Sequence, residues 1–219
     1  MPVQRIDIVS DVVCPWCYIG KRQLELALQR WREAQPQAPA PVVAWHPFQL
    51  SRDTPLEGIE RSAYLTAKFG SDDLSRFHQH LYPAAAAVGL SLNFEGIQRQ
   101  PNTRAAHALI AACETGAPQE RMVEALFRGF FVEGADLSDR DTLIELAVSA
   151  GLPRQAASGL IEDAATLDAV AQADRELRSM GISGVPFFVI DQKVGVSGAQ
   201  GADALFAALE KASAQGGAA

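Results

Sequence analysis

The sequence predicts an α/β fold in which a βαβ half and a ββα half are separated by a large, all-helical insertion. Three observations predict it: strand, helix and strand patterns within the first fifty residues, helical periodicity from about residue 51 to 180, and a strand hairpin followed by a helix after Gly181. At about 150 residues per domain, a chain of 219 residues fits one domain with an insertion. The predicted bounds are 1–50 for the βαβ half, 51–180 for the insertion, 181–213 for the ββα half and 214–219 for a flexible tail.

The βαβ half begins with residues 3–10, which are predicted to form a mostly buried strand. Apolar residues then recur at i, i+3, i+4 and i+7 from Leu24, which is one face of an amphipathic helix. The proline-rich residues 36–41 end this helix, and residues 42–50 form a second strand that is bent near Pro47. The crossover that joins the two strands is expected to be right-handed.

Four segments with helical apolar spacing fill the predicted insertion. Their apolar faces are Ala106, Leu109, Ile110 and Cys113; Val123, Leu126, Phe127 and Phe130; Leu143, Ile144, Ala147 and Ala150; and Leu167, Val170, Ala171 and Leu177. Asn102 is predicted to cap the first of these helices, and Ser138 is predicted to open the third. The predicted helix stops are Gly116 with Pro118, and Gly151 with Pro153.

The ββα half is predicted from strand signals that return after Gly181. Residues 187–190 and 194–196 flank a turn at Asp191-Gln192, which is typical of a hairpin. Apolar residues from Ala202 to Leu209 predict a last helix, and the glycine-rich end of the chain is expected to fray.

Composition and charge exclude several classes of function. The 19 basic and 26 acidic residues give a net charge of −7, so no nucleic-acid partner is predicted. No apolar run reaches the ~18 residues of a membrane span, so no membrane partner is predicted. Asp7 interrupts the apolar stretch that a secretory signal needs, which predicts a cytoplasmic protein. Three cysteines do not make a disulfide framework, which points to thiols used for chemistry or packing.

The segment Cys14-Pro15-Trp16-Cys17 follows the first strand and opens the first helix. Pro15 suits the first helical position, which puts Cys14 at or just before the N-cap. There, unpaired backbone N–H groups and the positive end of the helix dipole favour its thiolate. Cys17 falls in the first turn, within reach of a mixed disulfide formed on Cys14. We therefore assign Cys14 as the attacking thiol and Cys17 as the resolving thiol.

A zinc site is the alternative interpretation, because Cys-x-x-Cys is also half of a tetrahedral metal site. The sequence has no second such motif, and the other candidate ligands lie on predicted helices far along the chain: His78, His80, His107 and Cys113. Cys113 belongs to an apolar helical face and is predicted to be a core residue. We therefore expect no metal.

A second informative segment is residues 181–187, a glycine-rich turn that leads through Val185 and Pro186 into a strand. Proline lacks the N–H that a strand interior donates, so it belongs at the first residue of a strand. An ordinary trans proline is one interpretation, and a cis Val185–Pro186 bond is the other. The cis form would leave the Val185 backbone free to pair with an extended substrate.

Residues 11–20, the Val185-Pro186 strand and the helical block between them resemble the DsbA-like thioredoxin superfamily. The chain most resembles FrnE-type oxidoreductases, which are similar to 2-hydroxychromene-2-carboxylate isomerases and kappa-class glutathione transferases. Further matching segments are Asn102-Thr103 with His107, Leu126-Phe127 with Phe130-Phe131, and Ser197-Gly198-Ala199-Gln200. The resemblance implies a thioredoxin-like fold with a helical insertion, Cys14 and Cys17 as the redox pair, and a cis Pro186 facing them.

The resemblance also distinguishes between chemistries. The isomerase and transferase relatives carry serine at the position of Cys14 and use glutathione without redox cycling, so Cys14 favours disulfide exchange. DsbA itself carries Pro-His between its cysteines. Pro15-Trp16 lacks that imidazole, which argues against strong oxidising power.

Four further residues are candidates for substrate contact alongside Val185: Asp11, Trp16, Asn102 and Ser197. Trp16 is expected to cap the site as an exposed aromatic or to cover the helix start. Asp11 is expected to tune the thiol or relay its proton, or to be a solvated cap. Asn102 and His107 resemble the family's substrate pocket, with a helix cap and a helix-face residue as the alternatives. Ser197 begins a segment before the last helix, whose N–H groups would bind a glutathione carboxylate or be capped locally.

The leading hypothesis is a thiol–disulfide oxidoreductase or isomerase that acts on protein or glutathione mixed disulfides. It predicts no bound cofactor, with glutathione as a co-substrate. The first alternative is a glutathione-dependent isomerase of small aromatic or polyketide-like substrates, in which Cys14 activates glutathione. The second is a holdase-like binding protein that uses the apolar surface around Trp16 and the Pro186 loop.

Overall fold

The computed structural model describes residues 2–71 and 75–215. The first half comprises β1 (Arg5–Ser10), α1 (Pro15–Ala34) and β2 (Val42–Pro47). The middle contains β3 (Ile59–Glu60), α2 (Arg61–Phe69), α3 (Ser75–Ala86), a 3₁₀ turn (Phe94–Gly96), β4 (Arg99–Gln100), α4 (Arg104–Ala111), α5 (Ala117–Phe131), α6 (Arg140–Ser149), α7 (Arg154–Glu162) and α8 (Ala164–Ser179). The chain ends with β5 (Phe187–Ile190), β6 (Val194–Ser197) and α9 (Ala202–Ala214). None of the helices in the described ranges combines the length and apolar character that crossing a bilayer requires.

The central sheet has the strand order β2-β1-β5-β6. β1 is parallel to β2, which requires the α1 crossover, and antiparallel to β5. Ile6 and Ile8 are fully buried opposite residues of β5, and α1 packs against α9. Val9 pairs with Phe187, so the end of β1, just before the cysteines, lies beside the start of β5, just after Pro186.

The outer edge of β2 is covered by the N-terminal end of α5 and its N-cap residue Gly116. Gly116 N–H donates to the Val43 carbonyl (3.0 Å), and Trp45 N–H donates to the side-chain oxygen of Gln119 (2.8 Å). The Gln119 amide donates in turn to the Ile110 carbonyl (3.2 Å). These contacts satisfy backbone groups that an open edge strand would expose, and they dock the helical insertion on the sheet.

A second junction between the insertion and the βαβ half joins α1 to α5. The Tyr18 ring stacks on Phe127 at 4.9 Å between centroids. Beside it, the buried Lys21 ammonium lies 2.8 Å from the Glu124 carboxylate and 4.0 Å from that of Glu120. The helix that carries the cysteines is therefore held by both apolar and charged contacts to the insertion.

The predicted fold class is confirmed, with one addition to the helical insertion. β3 and β4 pair as a two-stranded antiparallel sheet with Ile59 opposite Gln100. Strands of two residues carry no periodic signal, so the sequence does not predict them. The domain bounds remain a prediction, and residues 216–219 of the predicted tail lie outside the described residues.

Two predicted helix caps are wrong by one residue. α4 has Thr103, not Asn102, at its N-cap, and α6 has Asp139, not Ser138, whose carboxylate accepts from Thr142 N–H (2.8 Å). In both places two cap-forming residues are adjacent, so residue type alone does not choose between them. The second strand also ends earlier than predicted, at Pro47.

Candidate active site

Cys14 occupies the N-cap of α1, as predicted, with an extended backbone (φ −95°, ψ 110°) and Pro15 as the first helical residue. Its N–H donates to the Asp11 carbonyl (3.0 Å), and its own carbonyl accepts from Cys17 N–H (3.0 Å). The described first turn of α1 carries no acidic side chain. The positive end of the helix dipole therefore acts on the Cys14 sulfur without an opposing charge from that turn.

Cys17 lies behind Cys14, and both are free thiols. Cys14 keeps 5% of its surface exposed and Cys17 only 1%. Burial raises the pKa of the Cys17 thiol well above its ordinary value, and the neighbouring Cys14 thiol raises it further. The Ser10 side chain and the Asp11 backbone act in the opposite direction. The more accessible thiol at the helix end and the protonated thiol behind it have the properties of an attacking and a resolving cysteine.

The Val185–Pro186 loop faces the cysteines across the sheet end. Its peptide bond is cis, which agrees with the resemblance, and Cys14 Sγ lies 3.8 Å from the Val185 carbonyl oxygen. Val185 precedes β5 and lies outside the pairing register of that strand. The Pro186 carbonyl accepts from Gly198 N–H (2.8 Å), which brings the turn after Ser197 next to the loop.

Gly20 allows this close approach between α1 and the loop. A Cβ at residue 20 would lie 3.1 Å from Pro186 Cγ and 3.1 Å from Phe188 Cζ. Sequence reasoning did not assign Gly20 to the site. The signal that could have found it is a glycine in the interior of a predicted helix. Glycine there destabilises the helix by about 1 kcal/mol relative to alanine, which indicates that close packing requires it.

Asp11 is fully buried and joins three segments of the chain. One carboxylate oxygen accepts from Leu50 N–H (2.7 Å), and the other lies 3.3 Å from His107 Nε2 of α4. The His107 and Asp11 atoms are close enough for an ion pair, but they are not aligned for a hydrogen bond. The solvated-cap interpretation of Asp11 is therefore wrong, because the carboxylate is enclosed beneath the cysteine loop.

The remaining predicted site residues differ in their surroundings. Trp16 is half-buried and packs against the core, and Ser197 is exposed at the end of β6. Asn102 is buried: its amide donates to the Thr54 carbonyl (2.6 Å), and its oxygen accepts from Arg104 N–H (3.0 Å). Asn102 thereby holds the segment after β2 against the start of α4, and substrate contact by these three side chains remains a prediction.

The third cysteine lies apart from this site. Cys113 is half-buried just after α4, where its thiol donates to the Leu109 carbonyl (3.4 Å) and burial raises its pKa. Across the described residues, no group of three or more His, Cys, Asp or Glu side chains is arranged to hold a metal ion.

The DSBA-like thioredoxin domain family matches residues 5–210, which include every element described above apart from the last residues of α9. The chain belongs to this family. A probable DsbA oxidoreductase from Streptomyces coelicolor, SCO1869, is 34% identical and superimposes with a TM-score of 0.82 over 96% of this chain and 90% of that protein. The DSBA-like assignment thus rests on both sequence and structure.

Two further solved structures with lower sequence identity share the fold. A 2-hydroxychromene-2-carboxylate isomerase has a TM-score of 0.68 at 17% identity, over 97% of this chain and 95% of that one. The cytosolic disulfide reductase DsbM from Pseudomonas aeruginosa, solved with GSH, has a TM-score of 0.62 at 20% identity, over 94% of this chain and 98% of that one. The likeness to FrnE-type DsbA relatives and to the isomerases is thus confirmed at the level of the fold.

Proposed function

We propose that this DSBA-like protein is a thiol–disulfide oxidoreductase or isomerase that acts on protein or glutathione mixed disulfides. The observation that carries the proposal is the Cys14 thiol at the N-cap of α1, 3.8 Å from the Val185 carbonyl, with the Cys17 thiol buried behind it. This arrangement puts a nucleophile, a resolving thiol and a backbone segment outside the β5 ladder at one place.

In the first step the Cys14 thiolate attacks one sulfur of a substrate disulfide. A bond forms between Cys14 and that sulfur, the substrate S–S bond breaks, and the second substrate sulfur leaves as a thiolate that takes up a proton. In the second step the Cys17 thiol loses its proton to the departing sulfur and attacks Cys14. The substrate is then fully reduced and Cys14–Cys17 is oxidised to a disulfide. The reverse sequence oxidises a substrate dithiol, and the reduction potential decides the direction.

The substrate is proposed to lie across Pro186. Val185 precedes the β5 ladder, so its backbone is available to an extended chain by strand addition. Trp16 and Ser197 border this path, while Asp11 and Asn102 act as positioning residues through their buried contacts. We propose glutathione as co-substrate and the cytoplasm as location. The GSH-containing structure of a cytosolic reductase with this fold supports both.

The test is insulin reduction and RNase refolding with three single variants. We expect Cys14→Ser to abolish both activities, because the nucleophile is lost. Cys17→Ser is expected to accumulate a mixed disulfide on Cys14, detected by mass. Cys113→Ser, which changes the third cysteine, is the matched control and keeps both activities. Full activity of Cys14→Ser would rule out the proposal.

A glutathione-dependent isomerase is the second candidate, because the fold is shared with a 2-hydroxychromene-2-carboxylate isomerase. Cys17→Ser separates the candidates. Isomerisation of a small substrate would need glutathione and Cys14 but would survive loss of Cys17, whereas disulfide turnover would not. A holdase would suppress client aggregation even when both cysteines are replaced.

A further inference from the structure

A cavity of about 500 Å³ lies between the segment after β2 and helix α2. Its lining includes Leu50, Ser51, Arg52, Tyr64, Lys68 and Arg178. This volume is within the range of small-molecule sites. None of these residues has a role in the proposed chemistry of the cysteine pair.

Three of the lining side chains form a hydrogen-bonded cluster, the Ser51–Tyr64–Lys68 cluster. Ser51 Oγ and Tyr64 Oη are 2.9 Å apart. Lys68 Nζ lies 2.7 Å from Tyr64 Oη, 3.2 Å from Ser51 Oγ and 3.2 Å from the Leu50 carbonyl oxygen, so its three donors are used. The two hydroxyl groups have two protons, of which one lies between their oxygens. The other has no acceptor among the described residues and is free to donate to a ligand.

The charge around the cavity favours an anion. Arg52, Lys68 and Arg178 line it, against one acidic residue, Asp53. Arg178 is neutralised by the buried Asp174 (3.0 Å), which lies 3.8 Å from Arg52. Counting Asp174, three cations face two acids, so the region is positive in a chain whose net charge is −7. A hydroxyl donor beside fixed positive charge matches the oxygen atoms of a carboxylate.

The cavity is connected to the cysteine loop through one residue. Leu50, in the cavity wall, donates its N–H to the Asp11 carboxylate (2.7 Å), and the Asp11 carbonyl accepts from Cys14 N–H (3.0 Å). Two hydrogen bonds through Asp11 therefore link the wall of the cavity to the backbone N–H of Cys14.

We propose that this cavity binds a carboxylate of small disulfide substrates and so selects acidic disulfides for attack by Cys14. The carboxylate accepts the free hydroxyl proton of the Ser51–Tyr64–Lys68 cluster and pairs with Arg52, while Lys68 holds the two hydroxyl groups in place. This inference rests on the proposed disulfide exchange and names its substrate class. The size of the cavity favours a small molecule over a protein segment.

The test compares two chromogenic aromatic disulfides that differ in charge. 5,5′-Dithiobis(2-nitrobenzoate) carries two carboxylates, and 4,4′-dithiodipyridine carries none. The rate of thiol release is measured with each reagent, at neutral pH and low salt, for the wild type, Arg52→Gln and the double variant Ser51→Ala/Tyr64→Phe. The double variant is needed because Tyr64→Phe alone would free the Ser51 proton. Arg32→Gln, which removes an exposed cation in the last turn of α1, is the matched charge control.

We expect the two cavity variants to slow the carboxylate reagent by about tenfold, the scale of one charge-assisted hydrogen bond. The rate with the neutral reagent should change by no more than about twofold in the cavity variants. In Arg32→Gln, the rates with both reagents should also change by no more than about twofold. An equal loss with both reagents, or no loss with either, would overturn the carboxylate site. Reaction of Cys14→Ser with both reagents at the wild-type rate would instead overturn the proposed function, so the two failures are distinguishable. If the cavity variants slowed only the reaction with an acidic protein disulfide, the cavity would serve protein clients, and this proposal would be rejected.

Discussion

His107 Nε2 of α4 lies 3.3 Å from Asp11 Oδ1 of the cysteine loop, and the two side chains are 3% and 0% exposed. The backbone of Asp11 contacts both cysteines: its carbonyl accepts from Cys14 N–H, and a backbone hydrogen bond lowers the pKa of Cys17 against the larger effect of burial. The insertion therefore reaches the cysteine loop through the contact between His107 and Asp11. Because this contact lies beneath the cysteine loop, we expect the His107 and Asp11 side chains to stabilise the protein jointly.

A double-mutant cycle tests this coupling. Asp11→Asn and His107→Gln are each expected to lower the free energy of unfolding by about 0.5–3 kcal/mol, because each changes one side of a fully buried polar contact. The coupling free energy between the two side chains is expected to be about 0.5–3 kcal/mol, which is usual for residues in contact. The measurement is denaturant unfolding of the wild type, both single variants and the double variant.

A matched control exists in the same protein. His46 Nε2 lies 2.7 Å from Asp7 Oδ1, but these side chains are 35% and 17% exposed. The same cycle with Asp7→Asn and His46→Gln is expected to give a coupling free energy below about 1 kcal/mol, because solvent screens the pair. Additive effects at Asp11 and His107, or stronger coupling at the exposed pair than at the buried one, would contradict the assigned role of burial.

The sequence predicts the position of Cys14 at a helix N-cap because the determinants of that position are local. A proline after Cys14 and a helical pattern after Cys17 suffice to place the first thiol at an N-cap. The Asp11–His107 contact has no such signal. The two residues are 96 positions apart, and they meet only because α4 docks against β2 through tertiary packing.

The same distinction explains the other differences between sequence and structure. The helix faces follow from periodicity, whereas the choice between Asn102 and Thr103 as cap depends on backbone angles that residue type does not determine. The role of Gly20 depends on the distance to Pro186, a residue from the other half of the fold. Sequence patterns thus predict the elements and the N-cap position of Cys14, while the residues that surround the candidate site require the packed structure.

The two active-site thiols are expected to differ in their reactivity toward alkylation. Because burial raises the pKa of Cys17, its thiolate fraction at pH 7 is lower than that of an ordinary cysteine, by about tenfold for each pH unit that the pKa rises. In a Cys113→Ser background, iodoacetamide at pH 7 should therefore give a single adduct on Cys14. Modification of Cys17 should begin only above the ordinary thiol pKa of 9.0. Peptide mass spectrometry measures both sites.

The unfolded protein supplies the control for this experiment. In guanidinium chloride both cysteines lose their surroundings and should be alkylated at similar rates. Equal modification of Cys14 and Cys17 in the folded protein at pH 7 would show that the assigned order of attack and resolution is wrong.

Packing at Gly20 gives a third prediction. Gly20→Ala would gain about 1 kcal/mol of helix propensity. Its Cβ, however, would press on the Pro186 and Phe188 rings at 3.1 Å, and overpacking costs about 1–3 kcal/mol. We expect a net loss of about 1 kcal/mol in unfolding free energy, together with slower disulfide exchange because the Pro186 loop shifts relative to Cys14.

Gly159 of α7 is the matched control for Gly20, because a Cβ at that position would meet no atom within 4 Å. Gly159→Ala should therefore stabilise the protein by about 0.5–1 kcal/mol and leave exchange unchanged. Denaturant unfolding and the rate of insulin reduction measure the two properties. Stabilisation of the protein by Gly20→Ala to the same extent as by Gly159→Ala would refute the packing argument.

The charged contacts between α1 and α5 predict two opposite pH dependences of stability. Burial raises the pKa of Glu120 above its ordinary 4.5, and the Trp45 and Lys21 contacts offset this only in part. A raised carboxyl pKa means that ionisation opposes folding, so Glu120 lowers stability as pH rises from 4.5 through the raised value. Glu120→Gln removes this effect and keeps an acceptor for Trp45 Nε1–H. It should stabilise the protein at pH 8, and the gain should disappear below about pH 4.5.

Glu124 provides the opposite case one turn further along α5. Burial is the largest single effect and acts to raise its pKa, but the contacts with Lys21, Tyr18 and Arg22 together outweigh it, so the net shift of the pKa is downward. Its carboxylate therefore contributes stability that is present above pH 4.5 and is lost as pH falls through the lowered value. Glu124→Gln should destabilise the protein at pH 8, and the loss should shrink in acid. Thermal unfolding of both variants and the wild type between about pH 3 and pH 8 measures the two curves. The Lys21 ammonium lies 2.8 Å from the Glu124 carboxylate and 4.0 Å from that of Glu120. If stability changed with pH in the same direction for both variants, the opposite pKa shifts assigned to these two carboxyl groups would be wrong.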